Sequence, residues 1–195
     1  GKLTNENVKD GELPEGWGIM KFGEVVNNYD GKRRPLSRDV RAKRQGKFRY
    51  YGATEIVDYI DDFLFDGKYL LIGEDGANLV SKSRPLAFIV EGKFWVNNHA
   101  HIVQTKELLN IDFLSYYFNS LNLAEYVTGT AQPKLNQANM NKIPIPIPKI
   151  GEQNKIVEEL ESRLSVADKM EESISQSLQQ AEALRQSILK KAFSG

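Results

Sequence analysis

The 195 residues carry 26 Lys and Arg against 26 Asp and Glu, two histidines and no cysteine. Disulfide and thiolate chemistry are therefore excluded, and a net charge of zero selects no partner class until its distribution is known. The first ten residues are polar and no apolar run approaches the ~20 residues that span a bilayer, which predicts a soluble protein suited to a reducing cytoplasm, with room for one cored domain and one extended element.

Residues 1–12 are polar and aperiodic and read as a tether. Order begins at Leu13-Pro14-Glu15-Gly16-Trp17, a Pro/Gly turn whose tryptophan is expected to be buried and to pin the chain's entry. Gly18–Val26 alternates well enough for a strand, or a strand and a short turn. The segment from Lys32 to Arg49 has no period and holds Pro35, so it reads as a loop feeding a strand at Lys47–Tyr51. Ile56–Phe65 and Lys68–Ile72 are β-rich around Asp66-Gly67, and Ala87–Val90 and Phe94–Val96 flank Glu91-Gly92-Lys93; both interruptions predict hairpin turns. Ala100–Thr105 is a further strand. Ile111–Asn119 and Leu121–Val127 place Leu, Phe and Tyr at three-and-four spacing and predict a helical pair, with Asp112 near the first N-cap. Thr128–Asn136 is a small polar loop. Ile143-Pro144-Ile145-Pro146-Ile147-Pro148 lacks a donor at every second residue, so it must be extended at a sheet edge or in polyproline form, stiffening a joint.

From Gly151 to about Phe193 more than forty residues pass without an interior Gly or Pro, which predicts one continuous helix. Val157, Leu160, Leu164, Ala167, Ile174, Leu178, Ala181, Ile188 and Ala192 form a narrow seam, with Glu171 and Arg185 as charged interruptions that can fix register. The expected architecture is α+β: a mixed globular head of short antiparallel strands over 13–150, then a long C-terminal helix over 151–195 that forms an antiparallel coiled coil with a partner helix.

Charge is concentrated in Lys32, Arg33, Arg34, Arg38, Arg41, Lys43, Arg44, Lys47 and Arg49, against Asp39 alone. Such cations release counterions from phosphates, and arginines among them can address guanine O6 and N7, while Tyr50 lies beside them. Asn78, Lys82, Asn98, His99, Gln132, Lys134 and Asn136 are further candidate DNA contacts. The Gly129–Asn136 loop grips DNA or orders the Ile-Pro joint, with equal support for each. His99 and His101 share a strand face at a spacing that can hold a metal, but without cysteine a site would need carboxylates such as Asp75, and structural hydrogen bonding together with DNA contact is the preferred reading. Gly73-Glu74-Asp75-Gly76-Ala77-Asn78 lacks the Gly-Lys-Ser/Thr of a phosphate cradle. No metal or cofactor is expected.

Leu13–Trp17, Ile72-Gly73-Glu74-Asp75-Gly76-Ala77, Asn98-His99-Ala100-His101-Ile102-Val103, Gly129–Asn136, the Ile-Pro alternation leading to Glu152–Val157, and Leu184–Gly195 together resemble the specificity subunits of type I restriction–modification enzymes. The resemblance covers nearly the whole chain. It implies a non-catalytic DNA-reading subunit, a target recognition domain joined to a conserved helical region. By the same resemblance its partners are double-stranded DNA, methyltransferase subunits and restriction subunits, which themselves bind the cofactors. Family members usually carry the pair twice; here there is one, and Gly1-Lys2-Leu3 resembles the residues that come after Phe-Ser-Gly at the end of a family helix. A half-subunit that forms a homodimer and one repeat of a longer chain both remain open. Two rival readings are a metal-dependent nuclease using Asp75 with Glu91-Gly92-Lys93, and a coiled-coil adaptor with no nucleic-acid role.

Overall fold

The computed structural model describes residues 13–194, so the tether expected over 1–12 lies outside the described residues. The chain divides into two units, one up to Asn154 and one from Lys155.

In the first unit β1 (Gly18–Lys21) is followed by one helical turn, α1 (Phe22–Val25), and then by β2 (Val26–Asn28). The turn forms because Phe22 and Val25, three apart, are both buried, while the Glu24 carboxylate accepts from the Lys21 N–H at 2.8 Å. It moves the chain from one sheet to another. Trp17 is half-buried rather than buried, because its indole N–H reaches out to Glu152 at 3.1 Å.

The segment expected as a loop holds a 3₁₀ turn at Asp30–Lys32 and α2 (Arg38–Ala42), before β3 (Gln45–Tyr51) and β4 (Ile56–Ile60). Ser37 caps α2 by accepting from Val40 N, a signal hidden in the sequence by the surrounding charges.

Neither expected hairpin forms. β5 (Phe65–Asp66) pairs with β8 (Lys93–Val96), whereas β6 (Tyr69–Gly73) pairs with β7 (Ala87–Val90) and with β9 (Ala100–Thr105). Asp66-Gly67 and Glu91-Gly92 are corners at which the chain passes between sheets. They bond to each other: Gly67 N donates to Gly92 O at 3.2 Å and Gly92 N to Gly67 O at 3.1 Å. Both glycines have positive φ, 130° and 84°, a backbone that turns sharply at little cost only without a Cβ.

Two four-stranded sheets result, β2-β9-β6-β7 and β4-β3-β8-β5, with β3 and β8 parallel. Between them lies an aromatic core in which Phe65, Tyr69 and Phe94 contact one another edge-on or stacked, and Tyr51 meets Phe94 and Phe88. The opposite face of β3 and β8 carries a smaller cluster, Tyr50, Ile60 and Trp95, covered by Leu36 and Leu64.

α3 (Asn78–Ser81) follows β6, and α4 (Ile111–Ser120) buries Phe113, Leu114 and Phe118. The N-cap of α4 is Asn110, whose Oδ1 accepts from Asp112 N and Phe113 N; Asp112 instead pairs with Lys68 at 2.9 Å. The helix expected over 121–127 is absent. Leu121 is extended and the Asn122 side chain accepts from Ala124 N, a local turn that competes with helix, although Leu123 is still buried.

After α5 (Gln137–Met140), β10 (Pro144–Ile147) pairs antiparallel with β1 in a two-stranded sheet, burying Ile143 and Ile145. The proline alternation thus sits where one side of the strand needs no donors, as its chemistry requires. The last helix, α6 (Ile150–Phe193), is 44 residues long, about 66 Å. Its first turn is fixed by Gln153, fully buried, whose Oε1 accepts from Asn110 N at 2.7 Å and whose Nε2 donates to Leu108 O and Pro148 O, both at 2.9 Å.

In the second unit every described residue from Glu161 to Ser194 is exposed, including the seam residues Leu164, Ala167, Ile174, Leu178, Ala181 and Ile188. No helix in the described residues is long and apolar enough to cross a membrane.

Candidate nucleic-acid interface

The nine clustered cations separate by what their side chains already hold. Arg33 is turned inward: one guanidinium nitrogen donates to Glu74 and to Ala100 O, both at 2.7 Å, and Nε donates to Asp30 O at 3.1 Å. Asp30 in turn accepts from Ile102 N at 2.9 Å and meets His101 Nδ1 at 2.6 Å, while His101 Nε2 meets Leu135 O at 2.7 Å. Burial alone would raise both carboxyls. For Asp30 the hydrogen bond and charge of His101, then Ile102 N and Arg33, overcome it; for Glu74 the Arg33 bond, the His101 charge and the Lys134 bond do so, and both sit below their ordinary values. His101 is fully buried in this network. No group of three or more metal-capable side chains forms among the described residues.

Arg41 and Arg44 stitch α2 and its exit to the sheet. Arg41 pairs with Asp58 at 2.9 Å and lies over the Tyr50 ring, and Arg44 pairs with Asp61 at 2.8 Å and lies over Trp95. Gln45 and then Arg41, by hydrogen bonding, hold the Asp58 carboxyl below its ordinary value. Arg49 donates to Glu91 O at 2.6 Å, and Tyr50 is buried with its hydroxyl accepting from Leu36 N. The outward cations that remain are Lys32 and Lys47, each against one aromatic ring, and Arg34, Arg38 and Lys43, which are exposed with no side-chain partner among the described residues.

The same separation runs through the other candidates. Asn78 bonds Arg84 N, Arg84 O and Ser83, Lys82 donates to Leu121 O, and Asn136 caps α5 by accepting from Asn139 N. Lys134 reaches Glu74 at 3.1 Å, and its backbone exchanges two hydrogen bonds with Thr128, while Leu135 N donates to Glu74 O. The 129–136 loop is therefore anchored on the core, with Gln132 left exposed.

One end of the two sheets gathers residues far apart in sequence. The turn between β8 and β9 carries exposed Asn98 and His99; Trp95 Nε1 donates to Arg34 O at 2.6 Å, holding the Arg34 backbone; and Gly76 N donates to Pro133 O. His99 Nδ1 meets both Asp75 carboxylate oxygens, at 2.8 and 3.0 Å. Asp75 reads from the sequence only as a possible metal or nuclease carboxylate; its partner here is an imidazole. The roles of Asp30, Glu74 and Gln153 are hidden in the sequence because their partners lie tens of residues away and leave no local pattern.

Among known proteins, the family described as type I restriction modification DNA specificity domain matches residues 14–180. A Haemophilus influenzae chain described as a type I restriction enzyme specificity subunit is 39% identical over 140 residues, covering 71% of this chain and 35% of that relative. A chain from a solved type I R-M system structure superposes with a TM-score of 0.73 at 16% identity, over 94% of this chain and 47% of that one. The HsdS subunit from Thermoanaerobacter tengcongensis gives 0.64 at 16%, over 97% and 48%, which shows likeness of fold. This chain thus spans less than half the length of each of these relatives.

Proposed function

The chain belongs to the type I restriction modification DNA specificity domain family, and from that premise we propose that it reads one half of a bipartite DNA target and performs no chemistry of its own. The observation that carries the reading is the set of outward cations, Lys32, Arg34, Arg38, Lys43 and Lys47, left over after the fold has engaged the others. Solvated cations on a rigid head are suited to phosphates, whereas Arg33, Arg41 and Arg44 hold the surface that presents them. In this division of labour Gln132, Asn98 and His99 supply the groups nearest to base edges, and methyltransferase and restriction subunits assemble around the reader in the cytoplasm.

The heptad seam of α6, exposed from Leu164 onward while Val157 is buried, supports pairing with a second helix, in a homodimer or within a longer chain carrying two such units. An antiparallel pair would set two heads a fixed distance apart, so α6 acts as the spacer. Gel shift on a random duplex, with and without a methyltransferase partner, tests the proposal: a retarded complex that weakens steeply with salt is expected, and no complex under either condition refutes it. Incubating the chain alone with Mg²⁺ and plasmid is expected to leave the plasmid intact. Nicking would revive the nuclease reading, which the engagement of Asp75 with His99 and of Glu91-Gly92 in a sheet corner does not favour.

A further inference from the structure

We propose that His99 is a specificity-determining residue that reads the exocyclic amino group of one base, and that Asp75 is the positioning residue that makes it do so. This deepens the DNA-reading proposal and rests on it.

The turn that carries His99 is held at Asn97 and at His99 itself. Asn97 N donates to Tyr51 O at 3.0 Å, His99 N donates to the Asn97 side chain at 2.8 Å, and His99 O accepts from Glu74 N at 2.8 Å. The side chain is 49% exposed, while that of Asp75 is only 17% exposed. Asp75 is itself held, because its backbone bridges to Lys134 in the anchored loop. The imidazole is thus a projecting group on a rigid platform.

Its tautomer is set by its partner. An ionised carboxylate accepts hydrogen bonds and cannot donate them, so the ring nitrogen facing Asp75 carries the proton. In the neutral ring the outward Nε2 is then a bare acceptor. DNA phosphates are acceptors only, so a bare Nε2 has nothing to bond on the backbone. What it can accept from is an amino group: adenine N6 or cytosine N4 in the major groove, or guanine N2 in the minor. Guanine O6 and N7 and thymine O4, being acceptors, are disfavoured opposite it. The head's outward cations bring DNA in whatever its sequence, and His99 discriminates.

The test is selection of bound sequences from a randomised duplex pool at about pH 8, where imidazoles are ordinarily neutral. It uses the chain assembled with its methyltransferase partner, as wild type, His99→Leu and Asp75→Asn. The wild type is expected to enrich one half-site with an amino-bearing base at one position by roughly tenfold or more. His99→Leu should flatten that position alone, with affinity for random duplex within about twofold. Asp75→Asn, whose amide can donate as well as accept, permits the other tautomer and should relax the same position toward bases that present acceptors there.

A wild-type half-site retained unchanged by both variants, or a loss spread evenly over all positions and over random duplex, overturns the assignment of His99. Failure of the wild type to enrich any sequence would instead sink the DNA-reading proposal itself. Thermal melting of each variant within about 2 °C of wild type separates altered reading from misfolding.

Discussion

Gln153 offers the sharpest stability test, because a single amide ties the onset of α6 to Leu108, Asn110 and Pro148. Gln153→Ala removes one acceptor and two donor bonds from a fully buried side chain. Asn110 is half-buried and Leu108 is exposed, so water can reach those two partners and each loss costs about 1 kcal/mol; the carbonyl of buried Pro148 is left dry at about 2 kcal/mol. With the packing lost from the vacated space, the total is about 3–5 kcal/mol, on the order of 10 °C in melting temperature for a chain of this size. Asn154→Ala is the control. Its exposed side chain makes a single bond, accepting from Asn110 Nδ2 at 2.9 Å, and its loss should cost under about 1 kcal/mol. Gln153→Glu should be worse than alanine at neutral pH, since a carboxylate would be buried facing two carbonyls, and should recover partly in acid as protonation restores one donor. Thermal and urea unfolding of the three variants decides it. If Gln153→Ala melts within about 1 °C of Asn154→Ala, the buried amide does not hold this junction.

Neutralising Arg34, Arg38 and Lys43 together should leave unfolding nearly unchanged and reduce the slope of log affinity against log salt by roughly two to three, whereas Arg33→Ala should destabilise the head by about 3–5 kcal/mol by stranding buried carboxylates; salt titrations and melting curves check both. Asp30 and Glu74 are held below their ordinary values in the fold, so their contribution is complete above the unfolded carboxylate range of roughly pH 4–4.5 and is lost as pH falls through the lowered folded values. Glu74→Gln should accordingly flatten the acid limb of stability against pH, and an unaltered limb would remove the network from that role. Ile174 and Leu178 are 69% and 66% exposed on the seam of α6. Sedimentation should find paired chains for the wild type and single chains for the double variant Ile174→Asp with Leu178→Asp; a wild type that stays single at high concentration contradicts helix pairing by this chain alone.

The long helix was legible because its evidence is local: an uninterrupted run of residues and a seven-residue apolar period are complete within the segment. The extended form of the Ile-Pro segment was legible for the same reason, since missing donors leave only a sheet edge or a polyproline form, and pairing with β1 makes it the edge. The corners were not. Asp66-Gly67 and Glu91-Gly92 have the composition of hairpin turns, and only the packing of Phe65 and Phe94 on one sheet and Leu70 and Ile89 on the other sends the flanking strands apart. For the candidate site, composition located the cations in Lys32–Arg49 but could not rank them. Arg33, Arg41 and Arg44 find Glu74, Asp58 and Asp61 through folding, so the distinction between a cation that holds the head together and one that faces solvent exists only in three dimensions.

The most direct test of the account exchanges the head, residues 13–149, for the matching segment of the Haemophilus influenzae relative within an assembled methyltransferase, with the methylated sites then mapped. The account predicts that each half of the target read by an exchanged head changes, both halves where the chain pairs with itself and one where the second head is different, while the spacing stays as it was. Methylation at the same sites before and after the exchange would contradict it.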